Sequence, residues 1–278
     1  VTVAELLAEG SGRLDAREGL PDPRREVRFL LARALRCPES WVVAHPNEQV
    51  PGSAADVYRD WLARRVAGEP AHYIVGSCPF WGRPFTVTPA VLIPRPETEL
   101  VVECALTLPR PGRPRILDVG TGSGCLAVTL ALEIQGGRVF ATDLSLAAVA
   151  VARTNARRLG AGVSFAAGDL TSHVEGTFDV VVANLPYVTD ADIGGLPVEI
   201  LRYEPRLALA GGKDGTDLLK LLLAELPRLL AAGGHALLEM GPCQRAALER
   251  SIAASGLSEV HRGLDHAGLE RVLVLRKS

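Results

Sequence analysis

The stretch LDVGTGSGCLA, residues 117–127, carries the reading of the fold. A β-rich run reaches Asp118, and Gly120, Thr121, Gly122, Ser123 and Gly124 then turn the chain into an apolar helical pattern. Glycine adopts positive φ without strain and lets a ligand approach the backbone closely. A turn of this kind belongs at the carboxyl end of a strand, where open α/β sheets bind ligands. Its G-x-G-x-G spacing differs from the G-x-G-x-x-G of nicotinamide dinucleotide sites, and it lacks the Gly-Lys-Ser/Thr ending of a phosphate loop. Asp143 closes the next β-rich run, about twenty residues on, where an acid can accept both hydroxyls of a ribose. Asp169 closes the third and can accept from an adenine amino group. Three consecutive strand ends with these groups predict a nucleoside cofactor. Asp118 keeps two readings, a cofactor contact or a cap on the helix that follows.

Working outward, RILDVG, RVFATD, VSFAAG and FDVVVAN read as strands separated by helical patterns such as Leu146 to Leu159. That alternation predicts a parallel sheet with helices on both faces. HALLEMG adds a fifth strand after a helix ending at Gly233-Gly234, and VHRGLD and RVLVLRK close the chain as an antiparallel pair. The expected fold class is α/β, the seven-stranded sheet of class I S-adenosylmethionine-dependent methyltransferases, with a small N-terminal helical domain. Residues 1–75 are expected to be helical, 76–96 a hairpin and linker, and 97–278 the sheet domain. In the first part Val3, Leu6 and Leu7, then Val27, Leu30, Leu31, Ala34 and Leu35, recur at helical spacing. Ser53 and Asp56 resemble a capping box opening a helix that buries Val57, Trp61, Leu62 and Val66. HYIVG is the first strand-like run.

Composition excludes several classes. With 30 basic and 32 acidic residues the chain has a formal charge of −2, without the basic excess usual in domains that grip polyanions. No direct nucleic-acid binding is expected. Cys37, Cys78, Cys104, Cys125 and Cys243 are scattered, with no CxxC pair, so neither a disulfide framework nor a zinc site is indicated. The six histidines show no metal-ligand spacing, and no metal is expected. The most apolar stretch, Leu218 to Ala232, is interrupted by Lys220, Glu225, Pro227 and Arg228, too polar to span a bilayer. The first residues carry Glu5 and Glu9 rather than a basic and then apolar run. A soluble, cytoplasmic protein is expected.

The chemistry is expected after the fourth strand, at Asn184-Leu185-Pro186-Tyr187. This NLPY matches the (N/D/S)-P-P-(Y/F/W) motifs of enzymes that methylate amide or exocyclic amino nitrogens. Such a nitrogen has its lone pair delocalised and is a poor nucleophile. The Asn184 side-chain oxygen and the Leu185 carbonyl can each accept one N–H of the target, orienting it and favouring charge as it develops. Tyr187 would pack against the planar group. Read alone, the same residues are also those of a strand-ending turn.

Beyond these motifs, ARRVAGEPAHYIVG, FWGRPFTVTPAVLIPRPETELVVE, LPVEILRYEPRLALAGGKDGTDLLKLLL and GLERVLVL resemble, nearly end to end, the release-factor glutamine N5-methyltransferases of the HemK/PrmC family. The resemblance implies S-adenosyl-L-methionine as cofactor, held by Gly120 to Gly124, Asp143 and Asn184, with Leu170 beside the adenine and Asp169 near it. It implies that residues 184–187 hold the glutamine of a Gly-Gly-Gln loop in a peptide chain release factor, and that the helical domain aids docking. One residue departs from the family's Asn-Pro-Pro-Tyr: Leu185 keeps the carbonyl but neither fixes φ nor lacks an N–H. NLPY also occurs in ribosomal-RNA adenine dimethyltransferases, which leaves an RNA adenine N6-methyltransferase as an alternative. A family paralogue acting on a small molecule and a non-catalytic cofactor-binding scaffold are the others.

Overall fold

Helix α1 (Val3–Leu14) begins at Thr2, whose hydroxyl accepts from the Glu5 N–H while the Glu5 carboxylate accepts from the Thr2 N–H at 2.8 Å, a reciprocal cap. The structure is a computed structural model that describes residues 1–15, 22–242 and 244–278; Cys243 lies outside the described residues. Four further helices follow: α2 (Pro23–Leu35), α3 (Glu39–Ala44), α4 (Gly52–Val66) and α5 (Ala71–Val75). Val3, Leu6, Val27, Leu30, Leu31, Tyr58 and Leu62 share one core. Residues 1–77 form a compact unit that also takes in the short segment 197–203 from far along the chain. Within it Arg65, 1% exposed, pairs with Glu26 and with Glu199, the latter at 2.7 Å.

Two local expectations fail here. α4 starts after Pro51 with no side-chain cap, so Ser53 lies inside the helix, and the buried face is Ala55, Tyr58, Leu62 and Arg65 while Val57 and Val66 are exposed. The phase of the helix is set by Tyr58, whose hydroxyl donates to the Leu6 carbonyl at 3.0 Å, and not by the count of apolar residues. HYIVG is helical rather than extended: Pro70 opens α5 and Gly76, at φ 71°, closes it. Strong start and stop residues outweigh the β preference of Ile74 and Val75.

The second unit comprises residues 78–196 and 204–278. Strands β1 (Ser77–Phe80) and β2 (Arg83–Thr86) form a hairpin across Trp81 and Gly82, both at positive φ as a two-residue type I′ turn requires. Then come α6 (Glu99–Thr107), β3 (Arg115–Val119), α7 (Cys125–Glu133), β4 (Arg138–Asp143), α8 (Leu146–Leu159), β5 (Val163–Ala167) and β6 (Phe178–Ala183). The chain continues through the short helices α9 (Asp190–Ile193) and α10 (Val198–Tyr203) to α11 (Asp217–Leu229), β7 (Leu230–Glu239), α12 (Arg245–Ser255), β8 (Ser258–Leu264) and β9 (Glu270–Arg276). The sheet has seven strands in the order β5-β4-β3-β6-β7-β9-β8, parallel except for β9, which runs antiparallel to both neighbours.

Alternation along the strands builds a core on each face. Ile116, Val139, Val180 and Leu237 face one way, against α6, α7 and α8, while Leu117, Val181, Ala236 and Leu273 face the other, with leucines of α11. From β3 the chain winds outward to β4 and β5, and then returns to β3's other side as β6. The carboxyl ends of β3 and β6 are therefore the topological switch point of the sheet. One boundary differs from expectation. α11 ends at Leu229 and β7 begins at once, so Gly233 and Gly234 lie in a strand irregularity, where the β6–β7 register shifts between Phe178 and Val180. A Cβ on Gly234 would meet the Phe178 carbonyl at 3.0 Å, so these glycines serve a bulge and not a helix end.

Candidate active site

A cleft opens at this switch point. Gly120, Thr121, Gly122, Ser123, Asp143, Asp169, Leu170, Asn184, Leu185 and Pro186 all line it, as does Asp118. Gly124 and Tyr187 do not. Gly124 lies beneath the turn at φ 81°, where a Cβ would stand 3.0 Å from the Cβ of Ala152 in α8. Its missing side chain brings α7 and α8 together. Gly122, at φ 55°, has open space where its Cβ would be, which keeps the backbone clear towards a ligand.

The turn is held from three sides. Asp143, the last residue of β4, accepts from the Gly122 N–H and the Ser145 N–H, each at 2.8 Å, one on each carboxylate oxygen. Every carboxylate oxygen has a further lone pair, so both remain able to accept from hydroxyls. Asn155 of α8, fully buried, clips the turn to the hairpin: its amide donates to the Ser123 carbonyl at 2.8 Å and exchanges two hydrogen bonds with the backbone of Thr86. An Asn inside a helical pattern carries no signal that it will reach a strand far back in the chain. Asp118 accepts from the Thr121 hydroxyl at 2.6 Å and from the Ala127 N–H at 3.1 Å, both on Oδ2. Ala127 lies in the first turn of α7, so Asp118 does cap that helix, from the strand side.

Asp118 does more than cap. Its Oδ1 is buried with no partner, and burial pushes the carboxyl up to about 7, against the pull of Thr121 and Ala127 and with the push of Asp143. An acid with an unsatisfied oxygen on a cleft wall suits a ligand that brings a cationic donor.

Across the cleft, Asn184 directly follows β6. Its Nδ2 donates to the Thr98 hydroxyl at 2.9 Å, which leaves Oδ1 as the acceptor. Leu185 is 3% exposed and belongs to the core under the turn, so close to Gly120 that a Cβ there would meet Leu185 Cδ2 at 2.8 Å. Tyr187 is half-buried, its carbonyl accepting from Gln244 Nε2 at 2.8 Å and its phenol pushed up by burial and by Glu239. The loop 88–98 closes one side through residues such as Val91, Pro94, Arg95 and Thr98. Arg95 is tied to the buried Glu204 at 2.6 Å. Apart from the family resemblance of the IPRPETE block, nothing in local sequence marks this loop as a cleft wall.

Residues 5–76 match the family model described as the PrmC N-terminal domain, and residues 97–202 match the methyltransferase small domain. A release factor glutamine methyltransferase of Bordetella pertussis is 42% identical over 253 residues, 90% of this chain and 93% of that one. That of Moorella thermoacetica is 41% identical over 276 residues, 98% and 97% of the two chains. The chain belongs to the release factor glutamine methyltransferase family. Its fold is that of a methyltransferase from Pyrococcus furiosus, with a TM-score of 0.55 and 20% identity over 79% of this chain and 98% of that one. Among the described residues no helix is long and apolar enough to cross a membrane.

Proposed function

We propose that this protein transfers a methyl group from S-adenosyl-L-methionine to the side-chain amide nitrogen of the glutamine in the Gly-Gly-Gln loop of a peptide chain release factor. The observation that carries the reading is the fixed Asn184 amide. With Nδ2 engaged by Thr98, Oδ1 is the end offered to the cleft, and an amide N–H is what it can accept. Membership of the family supplies the substrate class.

The residues present fit the cofactor. The lone Oδ1 of Asp118 suits the ammonium of its methionine part, the free lone pairs of Asp143 suit the ribose hydroxyls, and Asp169 and Leu170 form the wall for the base. When bound, the cofactor supplies an electrophilic methyl group on a sulfonium centre. The chain's own part is to bind, orient and shield. Asn184 Oδ1 and the Leu185 carbonyl accept the two N–H groups of the glutamine amide, which turns its nitrogen towards the cleft and favours positive charge as it grows there. No base is needed beforehand, since the proton can leave after transfer. The helical residues 1–75 contribute release-factor docking in this reading.

The test is mass spectrometry of a release factor after incubation with the enzyme and cofactor. One added methyl group on the loop glutamine is expected. Methylation of adenine in RNA instead, with the release factor untouched, would replace this reading with the nucleic-acid one.

A further inference from the structure

We infer that Glu239 is a positioning residue, which through Thr98 fixes the end of the Asn184 amide that faces the cleft. The inference rests on the glutamine reading for its catalytic consequence, but on the local geometry for the orientation itself. Glu239 is the last residue of β7, and the β6–β7 register, ending at Ala183 beside Leu238, brings it abreast of Asn184. It is 1% exposed, does not line the cleft, and one of its carboxylate oxygens has no partner. The Thr98 and Asn184 side chains stand beside the group, and each draws the carboxyl down.

The arrangement has a direction. The Thr98 hydroxyl accepts from Asn184 Nδ2, which leaves its single proton to give, and in this proposal the neighbouring Glu239 carboxylate is what takes it. An ionised carboxylate can only accept, which commits the Asn184 N–H groups to the Thr98 and Glu239 side and leaves Oδ1 outward. The two flips of an amide have the same shape, and only the partners choose between them. A protonated Glu239 can instead donate to Oδ1. The flipped amide then becomes acceptable and offers N–H groups to a substrate that also brings N–H groups.

The surroundings place this switch in a useful range. Burial raises the Glu239 carboxyl to about 7, opposed by Thr98, reinforced by Glu97, and opposed again by Arg271 of β9 and by Asn184. The Tyr187 phenol and the Cys125 thiol also feel its charge: both are pushed up chiefly by burial, with Glu239 adding to it. The orienting state of Glu239 is therefore the one present on the alkaline side of about 7.

The experiment follows kcat and KM on a release factor from about pH 6 to about 9 at saturating cofactor. It compares wild type with Glu239→Gln and Glu239→Asp, and records the Asn184 side-chain amide by NMR, assigned by its loss in Asn184→Asp. In the wild type, kcat should rise with an apparent pKa near 7 and the Asn184 amide signals should shift over the same range. Glu239→Gln, which can donate, should lose about tenfold or more in kcat on the alkaline plateau, with both pH responses gone and the release-factor KM little changed. Glu239→Asp should keep a pH limb. Should Glu239→Gln not fold, Thr98→Val cuts the same relay, and a wild-type kcat there would overturn the inference. So would an Asn184 amide that does not titrate in the wild type, or Glu239→Gln with the wild-type plateau and limb. An Asn184 amide that titrates in an enzyme inert towards release factor would uphold the orientation and overturn only the substrate.

Discussion

Leu185 shows how a single residue changes meaning between sequence and structure. In the proposed reading only its carbonyl meets the substrate, which makes proline and leucine chemically equal there. On entropy alone, proline would stabilise by about 0.4–1 kcal/mol by restricting the unfolded chain. The buried side chain reverses that sign. Leu185 fills the core beneath Gly120, and proline would leave part of that space empty. Leu185→Pro should therefore lower stability by roughly 1–3 kcal/mol. Methylation of release factor should be retained, measured beside a thermal melt. A higher melting temperature in the variant would show that backbone stiffness outweighs the packing. Asp118 is the companion case: the sequence left it between cap and ligand contact, and the geometry shows that one oxygen caps α7 while the other is buried without a partner, in a residue of the cleft wall.

At the scale of elements, the meeting of α7 and α8 decides the shape of the Gly-rich turn. α7 has no side-chain cap of its own at Gly124, and takes its hydrogen bond from Asp118 on the neighbouring strand. α8 is capped conventionally, the Ser145 hydroxyl accepting from the Ala148 N–H at 3.2 Å, and ends at the left-handed Gly160. The two helices approach over Gly124, which is both left-handed and in contact with Ala152. Gly124→Ala meets both obstacles. Its backbone conformation alone should cost about 1–2 kcal/mol. The contact at 3.0 Å adds to this, and by prising α7 from α8 it should weaken cofactor binding by calorimetry. In an Ala152→Gly background, which lacks the 3.0 Å contact, Gly124→Ala should cost less than it does in the wild type. An equal cost in both backgrounds would mean that the helices do not meet as described.

Across the whole molecule, two buried acids tie stability to pH. The Asp118 and Glu239 carboxyls both stand near 7, each raised chiefly by burial. Unfolded, such groups titrate near 4. Between these values the folded protein keeps protons that the unfolded chain has released, so stability falls as pH rises through about 4 to 7. Each group can contribute roughly 3–4 kcal/mol to that loss. Asp118→Asn removes one of them while keeping an acceptor for Thr121 and Ala127. In the absence of cofactor its melting temperature should exceed that of the wild type at pH 8, and the gap should close towards pH 5. A gap independent of pH would show that Asp118 does not carry the proton. On the proposed reading the same variant should also bind the cofactor more weakly, since it changes the carboxylate proposed to meet the ammonium.

What the sequence determined by itself is what short-range rules control. Strand and helix periods, the G-x-G-x-G turn and the acids near successive strand ends were legible because each depends on residues a few positions apart, although β5 ends at Ala167 and leaves Asp169 in the loop just beyond it. The helix Leu146–Leu159 is bounded as its pattern predicts, and Asp143 is the last residue of β4. Tertiary structure decided the rest, wherever a partner comes from far along the chain. Pro70 and Gly76 could have been weighed against HYIVG from the sequence, but the phase of α4 answers to Tyr58 reaching α1, and the place of Gly233 and Gly234 answers to β6. Asn155, Thr98 and Glu239 have no local signal, since an Asn in a helix or a Glu ending a strand is ordinarily solvated. Their roles arise because the sheet order brings β7 beside β6, and because packing removes water, so that each polar atom must find its partner within the protein.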